Sequence, residues 1–318
     1  MFKKIIERIS ESKSFIITAH MNLEGDALGS ELAMYAILRK MGKKVVVFNN
    51  DPTPHIYSFL PNVKVIKNDI GNQSFDTAIV LDCSDPYRTG KVKDYLGRAK
   101  HIINIDHHIS NTQFGDLNWV EPTQSSTCQM LYKFCEKLKI MDKKIALCLY
   151  TGIFTDTGKF TYSNTNKDTH RIVSNLMKFN ISPNTVFEKI NSLCMPHDLE
   201  FIGKLIASLK FDQNRKICWI SIEKWIESEY DLTEVVFSIM RLLKDVEVLL
   251  LFKRLDGNKV RINFRSRSFV DVNRVAKFFG GGGHKRASGT TVNGSLENVE
   301  KKVVSFIKKY TNGSKKKR

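Results

Sequence analysis

Short apolar runs separated by longer amphipathic stretches constrain the fold of this chain more than any other feature of its sequence. Four runs in the first half have the length and composition of strands and lie at residues 15–19, 44–48, 77–81 and 101–105. Stretches with the apolar spacing of helices lie at residues 27–41, 125–138, 142–154 and 168–179. Strands that are apolar throughout are buried on both faces, as in a parallel sheet covered by helices. The first half is therefore predicted to be an α/β domain with a mostly parallel sheet flanked by helices.

The pattern changes near Pro183, which predicts a second, smaller α+β domain. Residues 186–209 have helical spacing with a break at Met195-Pro196, and we expect them to connect the domains. Further strands are predicted at residues 217–222, 246–252 and 260–265, and helices at residues 272–278 and 297–310. The predicted parts are a first domain at 1–185, a connector at 186–209, a second domain at 210–312 and a basic tail at 313–318.

Composition excludes several classes of protein. A chain of 318 residues with 42% hydrophobic residues can bury a sizeable core, but none of its apolar runs is long enough to cross a bilayer. The six cysteines form no C-x-x-C pair, which argues against a zinc ribbon and favours free thiols in a reducing compartment. The N-terminus lacks the apolar segment of a signal peptide. We therefore expect a cytoplasmic protein with no membrane segment.

The chain is strongly basic, with a formal net charge of +17. Such a charge favours polyanionic partners and speeds their encounter. The lysines are spread throughout the sequence, however, so a solvated surface explains the charge equally well.

Acidic and imidazole side chains lie directly after the predicted strands, or at the ends of helices. They are His20, Glu24, Asp26, Asp82, Asp106, His107, His108 and Asp156. The carboxyl ends of strands in an open parallel sheet face one crevice, where ligands gather. Taken alone, Asp26 suits a helix N-cap and Glu24 a solvated charge. Their conjunction instead predicts a metal site, because imidazole and carboxylate together suit divalent transition ions.

The number of these ligands indicates two metal ions. The candidate ligands are two imidazoles and four carboxylates: His20, Glu24, Asp26, Asp82, His107 and Asp156. One divalent ion does not need four anionic ligands, whereas two ions that share a carboxylate do. Such pairs activate a water for in-line attack at phosphorus. Oxygen ligands mixed with imidazole favour Mn²⁺, with Mg²⁺, Co²⁺ or Fe²⁺ as alternatives.

A glycine run followed by basic residues predicts a phosphate-binding segment in the second domain. Residues 280–283 are four glycines that are not expected to form a helix or a strand, and their amides can approach an anion closely. A flexible loop would explain the glycines alone, but the cations beside them favour a phosphate pocket. The candidate substrate-binding residues are Arg265, Arg267, Gly281, Gly282, Gly283 and His284. Arg265 and His284 are the expected primary contacts, because arginine grips phosphate with two donors.

Together these segments resemble the DHH–DHHA1 phosphoesterases, and most of all the group of bifunctional oligoribonucleases and pAp phosphatases, the nano-RNases. The resemblance covers nearly the whole chain, in order, at residues 20–30, 81–85, 106–108, 121–127, 152–158 and 280–289. Asp106-His107-His108 alone is not specific, but the six segments together are.

The resemblance implies roles for the site residues and a cleft between the DHH and DHHA1 domains. The residues implied to bind one ion are His20, Glu24 and Asp82. Those implied to bind the other are Asp26, Asp82, His107 and Asp156, with Asp82 as the bridge. His108 and Asp106 are the implied catalytic residues, with His108 facing the scissile phosphate or orienting the neighbouring imidazole.

The resemblance also implies the activity. The expected substrates and partners are short RNA oligonucleotides, cut to 5′-mononucleotides, and small phosphorylated nucleotides such as pAp, converted to AMP; a homodimer is a candidate assembly. A phosphodiesterase for cyclic di-AMP or pApA fits the same segments. A non-catalytic nucleotide or RNA binder is the alternative from another class. It rests on the net charge and on one departure, since Leu23-Glu24 stands where the family usually has Pro-Asp.

Overall fold

The chain forms two compact units that divide between residues 192 and 193. A computed structural model describes residues 1–191, 194–228 and 232–314. Among these residues, no helix has the length and apolar character that a membrane span requires. The boundaries predicted at residues 185, 209 and 312, and the cleft expected between the domains, stay predictions. Residues 315–318 of the expected basic tail lie outside the described residues.

The first unit contains a six-stranded sheet in which all neighbouring strands run parallel. Its strands are β1 (Ser14–Thr18), β2 (Lys44–Phe48), β3 (Ile66–Lys67), β4 (Phe75–Leu81), β5 (Ala99–Asp106) and β6 (Leu117–Val120). Its helices are α1 (Phe2–Glu11), α2 (Gly25–Lys40), α3 (Lys93–Leu96), α4 (Thr127–Leu138), α5 (Lys143–Asp156), α6 (Lys167–Met177) and α7 (Pro183–Asn191). The strand order is β3-β2-β1-β4-β5-β6. The order reverses between β1 and β4, and ligands bind at such a point in open α/β sheets.

Close helix packing at two glycines brings the ends of α2 and α5 together. A Cβ at Gly25, the first residue of α2, would collide with the side chain of Thr155 near the end of α5. A Cβ at Gly152 of α5 would collide with the Sγ of Cys128 in α4. The three helices share one core with β1 and β5. This packing places the first turn of α2 and the last turn of α5 beside the strand ends.

The second unit contains a six-stranded mixed sheet with the order β11-β12-β10-β9-β8-β7. Its strands are β7 (Lys210–Phe211), β8 (Ile217–Ile222), β9 (Val248–Leu255), β10 (Lys259–Ser266), β11 (Gly282–Gly283) and β12 (Ala287–Asn293). Its helices are α8 (Pro196–Ala207), α9 (Thr233–Met240), α10 (Val272–Phe278) and α11 (Leu296–Ser314). Among the described strands of this unit, only β8 and β9 pair in parallel. Helices α10 and α11 pack on one face of the sheet, and α8 and α9 pack on the other.

The predicted fold class is confirmed, and all seven predicted strands form. The stretch at 186–209 is broken at the predicted place into α7 and α8. Strand β12 was not predicted, because its sequence Ala-Ser-Gly-Thr-Thr-Val-Asn lacks an apolar run. The expectation that the glycine run forms no strand is wrong for Gly282 and Gly283, which pair with β12. The backbone hydrogen bonds of this pairing offset the weak strand preference of glycine.

Candidate metal centre

The candidate ligands of the first unit gather at the carboxyl edge of its sheet. His20 follows β1, Asp82 follows β4 directly, and His107 follows β5. The remaining candidates lie at the start of α2 and at the end of α5: Glu24, Asp26 and Asp156. All six take part in three overlapping groups whose potential ligand atoms lie within 4.8 Å of one another; the groups are His20–Glu24–Asp82, Asp26–His107–Asp156 and Asp82–His107–His108.

Asp82 lies at the centre of the cluster, with its two carboxylate oxygens directed to different imidazoles. Oδ2 lies 3.5 Å from His20 Nε2, and Oδ1 lies 3.5 Å from His107 Nε2. The side chain is 1% exposed, and Oδ2 accepts no well-aligned hydrogen bond from any described residue. Oδ1 accepts a hydrogen bond of 3.2 Å from the Thr127 hydroxyl. This division of its oxygens between two groups suits a carboxylate that is shared by two cations.

His20 and Glu24 form the outer part of the cluster. His20 Nδ1 donates to the backbone oxygen of Met21 at 2.7 Å, so Nε2 is the nitrogen that faces Glu24 Oε1 at 3.7 Å. A histidine fixed in this way by its other nitrogen is typical of metal ligands. His20 is buried, whereas the Glu24 side chain is 54% exposed. Glu24, where the sequence departs from the family pattern, is therefore the candidate ligand most open to water.

His107 and Asp156 form the inner part, together with Asp26. His107 Nε2 lies 3.9 Å from Asp26 Oδ2 and 3.6 Å from Asp156 Oδ2. His107 Nδ1 donates to the backbone oxygen of Gln124 at 3.3 Å. The same nitrogen therefore faces the carboxylates in both histidines.

The first turn of α4 fixes Asp26. Asp26 Oδ2 accepts a hydrogen bond of 2.6 Å from the amide of Thr127, and Oδ1 accepts one of 2.9 Å from the amide of Cys128. Amides at a helix N-terminus carry partial positive charge, which favours a carboxylate. A Cβ at Gly152 would lie 2.8 Å from Asp26 Oδ1, so the glycine leaves room for this fully buried side chain.

Asp106 is occupied by hydrogen bonds. Its Oδ1 accepts 2.6 Å and 2.9 Å hydrogen bonds from His108 Nδ1 and the His107 amide, and its Oδ2 accepts a 2.6 Å bond from Asn111 Nδ2. Burial would raise the pKa of Asp106, but His108 outweighs burial and lowers it. The carboxylate is therefore an acceptor that holds a proton on His108 Nδ1 and fixes its ring. The catalytic roles expected of both residues stay predictions, and these contacts favour positioning for Asp106.

Burial and charge act in opposite directions on the imidazoles. Burial lowers the pKa of His20 and of His107, but nearby carboxylates outweigh it and raise each pKa to about 11. Burial and the Asp82 charge raise the pKa of Asp26 to about 7, and burial raises the pKa of Asp156. Burial also acts to raise the pKa of Asp82, but both histidines hold it well below its usual value. Protonated imidazoles thus offset part of the negative charge when no cation is bound.

The donor set fits divalent cations. Buried carboxylates this close repel one another and need positive charge beside them. The Asp82 oxygen without a well-aligned hydrogen bond would gain a partner from a cation. Carboxylate oxygens mixed with two imidazole nitrogens suit Mn²⁺ and similar ions.

In the second unit, Arg265 lies on the sheet face opposite to α10 and α11, because alternate residues of β10 pack into their core. Its guanidinium forms an ion pair with Glu234 of α9 and lies 4.9 Å from the ring centre of Phe237. It also donates to the backbone oxygen of Phe264 at 2.9 Å. The side chain is 13% exposed. Arg265 is therefore held in place, with its charge paired to a carboxylate.

Arg267 has different partners. Its Nη2 donates to the backbone oxygens of Arg241 at 2.6 Å and Leu243 at 2.8 Å, just beyond α9. A cation at a helix C-terminus satisfies carbonyls that lack helical partners. Its predicted substrate contact stays a prediction, and these bonds favour a structural role.

The glycine run continues into a hairpin. His284 lies at its exposed turn, where the His284 amide donates to the Ala287 oxygen at 2.7 Å. Ala287 lies directly opposite Arg265, and Gly289 lies opposite Gly282 on the neighbouring strand. Directly opposed residues share a face, so Arg265 has Ala287 beside it on β12 and Leu249 beside it on β9. A Cβ at Gly282 would meet no other atom within 4 Å, so a ligand has room to approach the backbone there.

Sequence reasoning did not find the residues that position the ligands. Thr127 contacts Asp26 through its amide and Asp82 through its hydroxyl. Asn111 and the Gln124 backbone hold Asp106 and His107. The sequence shows only that Ser125-Ser126-Thr127 can begin a helix. The contact of this helix start with Asp26 depends on tertiary packing, which the sequence does not show.

Two family models match the chain. The model described as the DHH family, N-terminal domain, matches residues 14–153, and the model of the DHHA1 domain matches residues 204–313. Together they include every candidate site residue except Asp156.

Several relatives resemble the chain over most of its length. A bifunctional oligoribonuclease and PAP phosphatase NrnA from Thermus thermophilus is 28% identical over 295 residues, which cover 92% of this chain and 88% of that protein. The protein of the same name from Bacillus subtilis is 26% identical over 303 residues, covering 92% and 93%. The crystal structure of an exopolyphosphatase-related protein from Bacteroides fragilis has a TM-score of 0.90 and 26% identity, with 97% and 96% coverage.

Cation binding is expected to release protons. His20 and His107 must each lose a proton before Nε2 can bind a cation, and pKa values of about 11 mean that both are protonated at neutral pH. Mn²⁺ affinity should therefore rise with pH, by on the order of tenfold per pH unit for each imidazole that binds. Titration calorimetry in buffers of different ionisation enthalpy counts these protons. His107→Gln should release fewer, whereas identical heats in all buffers would contradict imidazole ligation.

Proposed function

Since this chain belongs to the DHH family and carries a DHHA1 domain, we propose that it is a metal-dependent phosphoesterase. It hydrolyses short oligoribonucleotides to 5′-mononucleotides and converts pAp to AMP. The shared names of the relatives from Thermus thermophilus and Bacillus subtilis support this substrate class. The observation that carries the proposal is the buried Asp82 carboxylate, which directs one oxygen to each of two histidine-carboxylate groups.

The ligand assignment follows these groups. His20, Glu24 and Asp82 would hold one cation, while the other would be held by Asp26, Asp82, His107 and Asp156. Two divalent cations, with Mn²⁺ preferred, would supply Lewis acidity that generates hydroxide from water and offsets charge on phosphoryl oxygens. The other residues of the site hold the ligands in place and keep their ligating atoms directed inward.

His108 acts on the reacting phosphate, and Asp106 acts through His108 by holding its ring in place. Asp106 accepts a 2.6 Å hydrogen bond from His108 Nδ1, which fixes the ring, and Nε2 is the nitrogen proposed to face a phosphoryl or leaving oxygen. A donor fixed before the reaction stabilises developing charge without reorganisation.

The second unit binds the phosphate or backbone of the nucleotide. Arg265 and His284 are the proposed primary contacts, with Gly281, Gly282 and Gly283 beside them. An incoming phosphate exchanges with Glu234 for the Arg265 guanidinium, which already has its required orientation. The Gly281 amide donates to the backbone oxygen of Ala276 at 2.8 Å, and Gly282 and Gly283 pair with β12. The glycines therefore contribute by letting a phosphate approach the backbone without the steric barrier of a side chain.

The purified protein with Mn²⁺ should convert a labelled, 5′-phosphorylated RNA dinucleotide to mononucleotides, and pAp to AMP. The same assay with cyclic di-AMP and pApA compares the other phosphodiester substrates side by side. No mononucleotide product at any Mn²⁺ concentration would contradict the proposal, and product from cyclic di-AMP or pApA alone would reassign the substrate.

Replacing Asp82 by Asn should abolish turnover, because both cations lose a shared anionic ligand. Asp82 has a backbone φ of 51°, which Asn tolerates well, so the fold should be retained. Asp106→Asn keeps an acceptor for His108 and should lose only about 10- to 100-fold, as is usual for residues behind the ligands. Steady-state kinetics with both variants tests the difference. Equal losses, or an active Asp82→Asn protein, would contradict the bridging role.

Replacing Gly282 by Ala should raise KM for the dinucleotide by roughly tenfold, because the added methyl group would keep the phosphate away from the backbone, with kcat little changed. A Cβ at Gly282 meets no other atom within 4 Å, so Tm should stay constant. Gly203→Ala on α8, which also points into open space, is the matched control and should leave KM unaltered. An unchanged KM in Gly282→Ala would show that the glycine run is not part of the substrate site.

A further inference from the structure

A buried carboxylate lies behind the metal ligands and has no role in the proposed mechanism. Glu31, in the second turn of α2, is 0% exposed. Its Oε1 is buried and accepts no hydrogen bond from the residues that the structure describes. Burial raises its pKa to about 8, and the charges of His20 and Asp82 also act on it. Burying a carboxylate in this way is costly, so a specific contact must account for its position.

That contact is Asn49, the residue after β2. Asn49 is 1% exposed, and its Nδ2 donates to Glu31 Oε2 at 2.8 Å. Its Oδ1 accepts a 3.3 Å hydrogen bond from the Thr18 hydroxyl and a 3.4 Å bond from the Ala19 amide. Thr18 ends β1, and His20 is the next residue after Ala19. Two side chains thus connect the interior of α2 to the strand end that carries His20.

The carboxylate determines which way the Asn49 amide points. An amide side chain has one accepting and one donating end, and it can bond in either orientation where its neighbours allow both. A carboxylate beside Nδ2 strongly favours the donating end there. The accepting end then faces the Ala19 amide, which lies past the last β1 pairing and is buried. The orientation of Asn49 therefore satisfies the backbone directly before His20.

We propose that Glu31 is a positioning residue for His20, acting through Asn49 to hold the end of β1 and so to set the affinity of the His20–Glu24–Asp82 group for its cation. This rests on the metal centre of the proposed function. The group depends on such support because Glu24 is half-exposed, which leaves His20 and Asp82 as its buried members. Metal ligands need placement to about half an ångström, and residues behind them commonly change affinity by about 10- to 100-fold.

Mn²⁺ binding without substrate measures this directly. The electron paramagnetic resonance signal of free Mn²⁺ gives the number of bound ions and their affinities in the full-length protein. Glu31→Ala should weaken one class of bound Mn²⁺ by about 10- to 100-fold and leave the other class near the wild-type value. Glu31→Gln keeps an acceptor for Asn49 Nδ2 and should stay within about threefold of wild type. Raising the Mn²⁺ concentration should restore turnover in Glu31→Ala.

Asn49→Ala is a second, independent test of the same connection. It replaces the first test if Glu31→Ala does not fold. It should weaken the same Mn²⁺ class to a similar extent, and the double variant should be no weaker than either single variant, because both act through one connection. Additive losses would overturn the connection through Asn49.

Glu247→Ala is the matched control for loss of a buried carboxylate. Glu247, in the second unit, is 5% exposed and accepts hydrogen bonds from Ser268, Phe269 and Val270. This variant should lower Tm without changing Mn²⁺ affinity. If Glu31→Ala likewise lowers only Tm and binds Mn²⁺ as tightly as the wild type, Glu31 has only a structural role and the inference is wrong. If the wild-type protein binds no Mn²⁺, the metal centre fails and the inference fails with it.

Discussion

The contact of one buried carboxylate with two imidazoles is the interaction on which the rest of the site depends. Asp82 reaches His20 with one oxygen and His107 with the other. Its backbone has a positive φ at the end of β4, a sparsely populated conformation that concentrates at functional sites. With no cation bound, the raised imidazole pKa values mean that protons supply part of the positive charge. A cation bound here would therefore compete with these protons, which would make metal affinity depend on pH.

The fold brings these charged groups together at the ends of strands and helices. The parallel sheet delivers His20, Asp82 and His107 from three neighbouring strands, and helix packing adds the carboxylates of α2 and α5. The start of α4 neutralises part of the charge of Asp26 through two amides. A substitution that changes helix spacing, such as a side chain at Gly152, is therefore expected to disturb the candidate metal centre although Gly152 is not a candidate ligand.

Sequence alone predicted the parallel sheet and the ligands at strand ends, because the carboxyl ends of parallel strands must share one edge. It could not predict Glu31–Asn49 or Thr127–Asp26, since those contacts join residues 18 and 101 positions apart and depend on how helices pack on the sheet. It also placed Arg265 and Arg267 in one candidate site, with Arg265 as an expected primary contact. Their different partners, a carboxylate for Arg265 and backbone carbonyls for Arg267, could be known only from the structure. Short outer strands such as β3 were not predicted, because two residues carry no periodic pattern.

The ion pair between Arg265 and Glu234 bears on which phosphates the proposed enzyme would select. A ligand that displaces the carboxylate must gain more from the guanidinium than Glu234 does, and Glu234 is half-exposed and solvated when released. A phosphodiester carries one negative charge, like the carboxylate, whereas a terminal phosphate carries close to two near neutral pH. Arginine also binds phosphate with two parallel donors. The exchange therefore favours nucleotides that end in a phosphate, a feature that pAp and 5′-phosphorylated oligoribonucleotides share and cyclic dinucleotides lack.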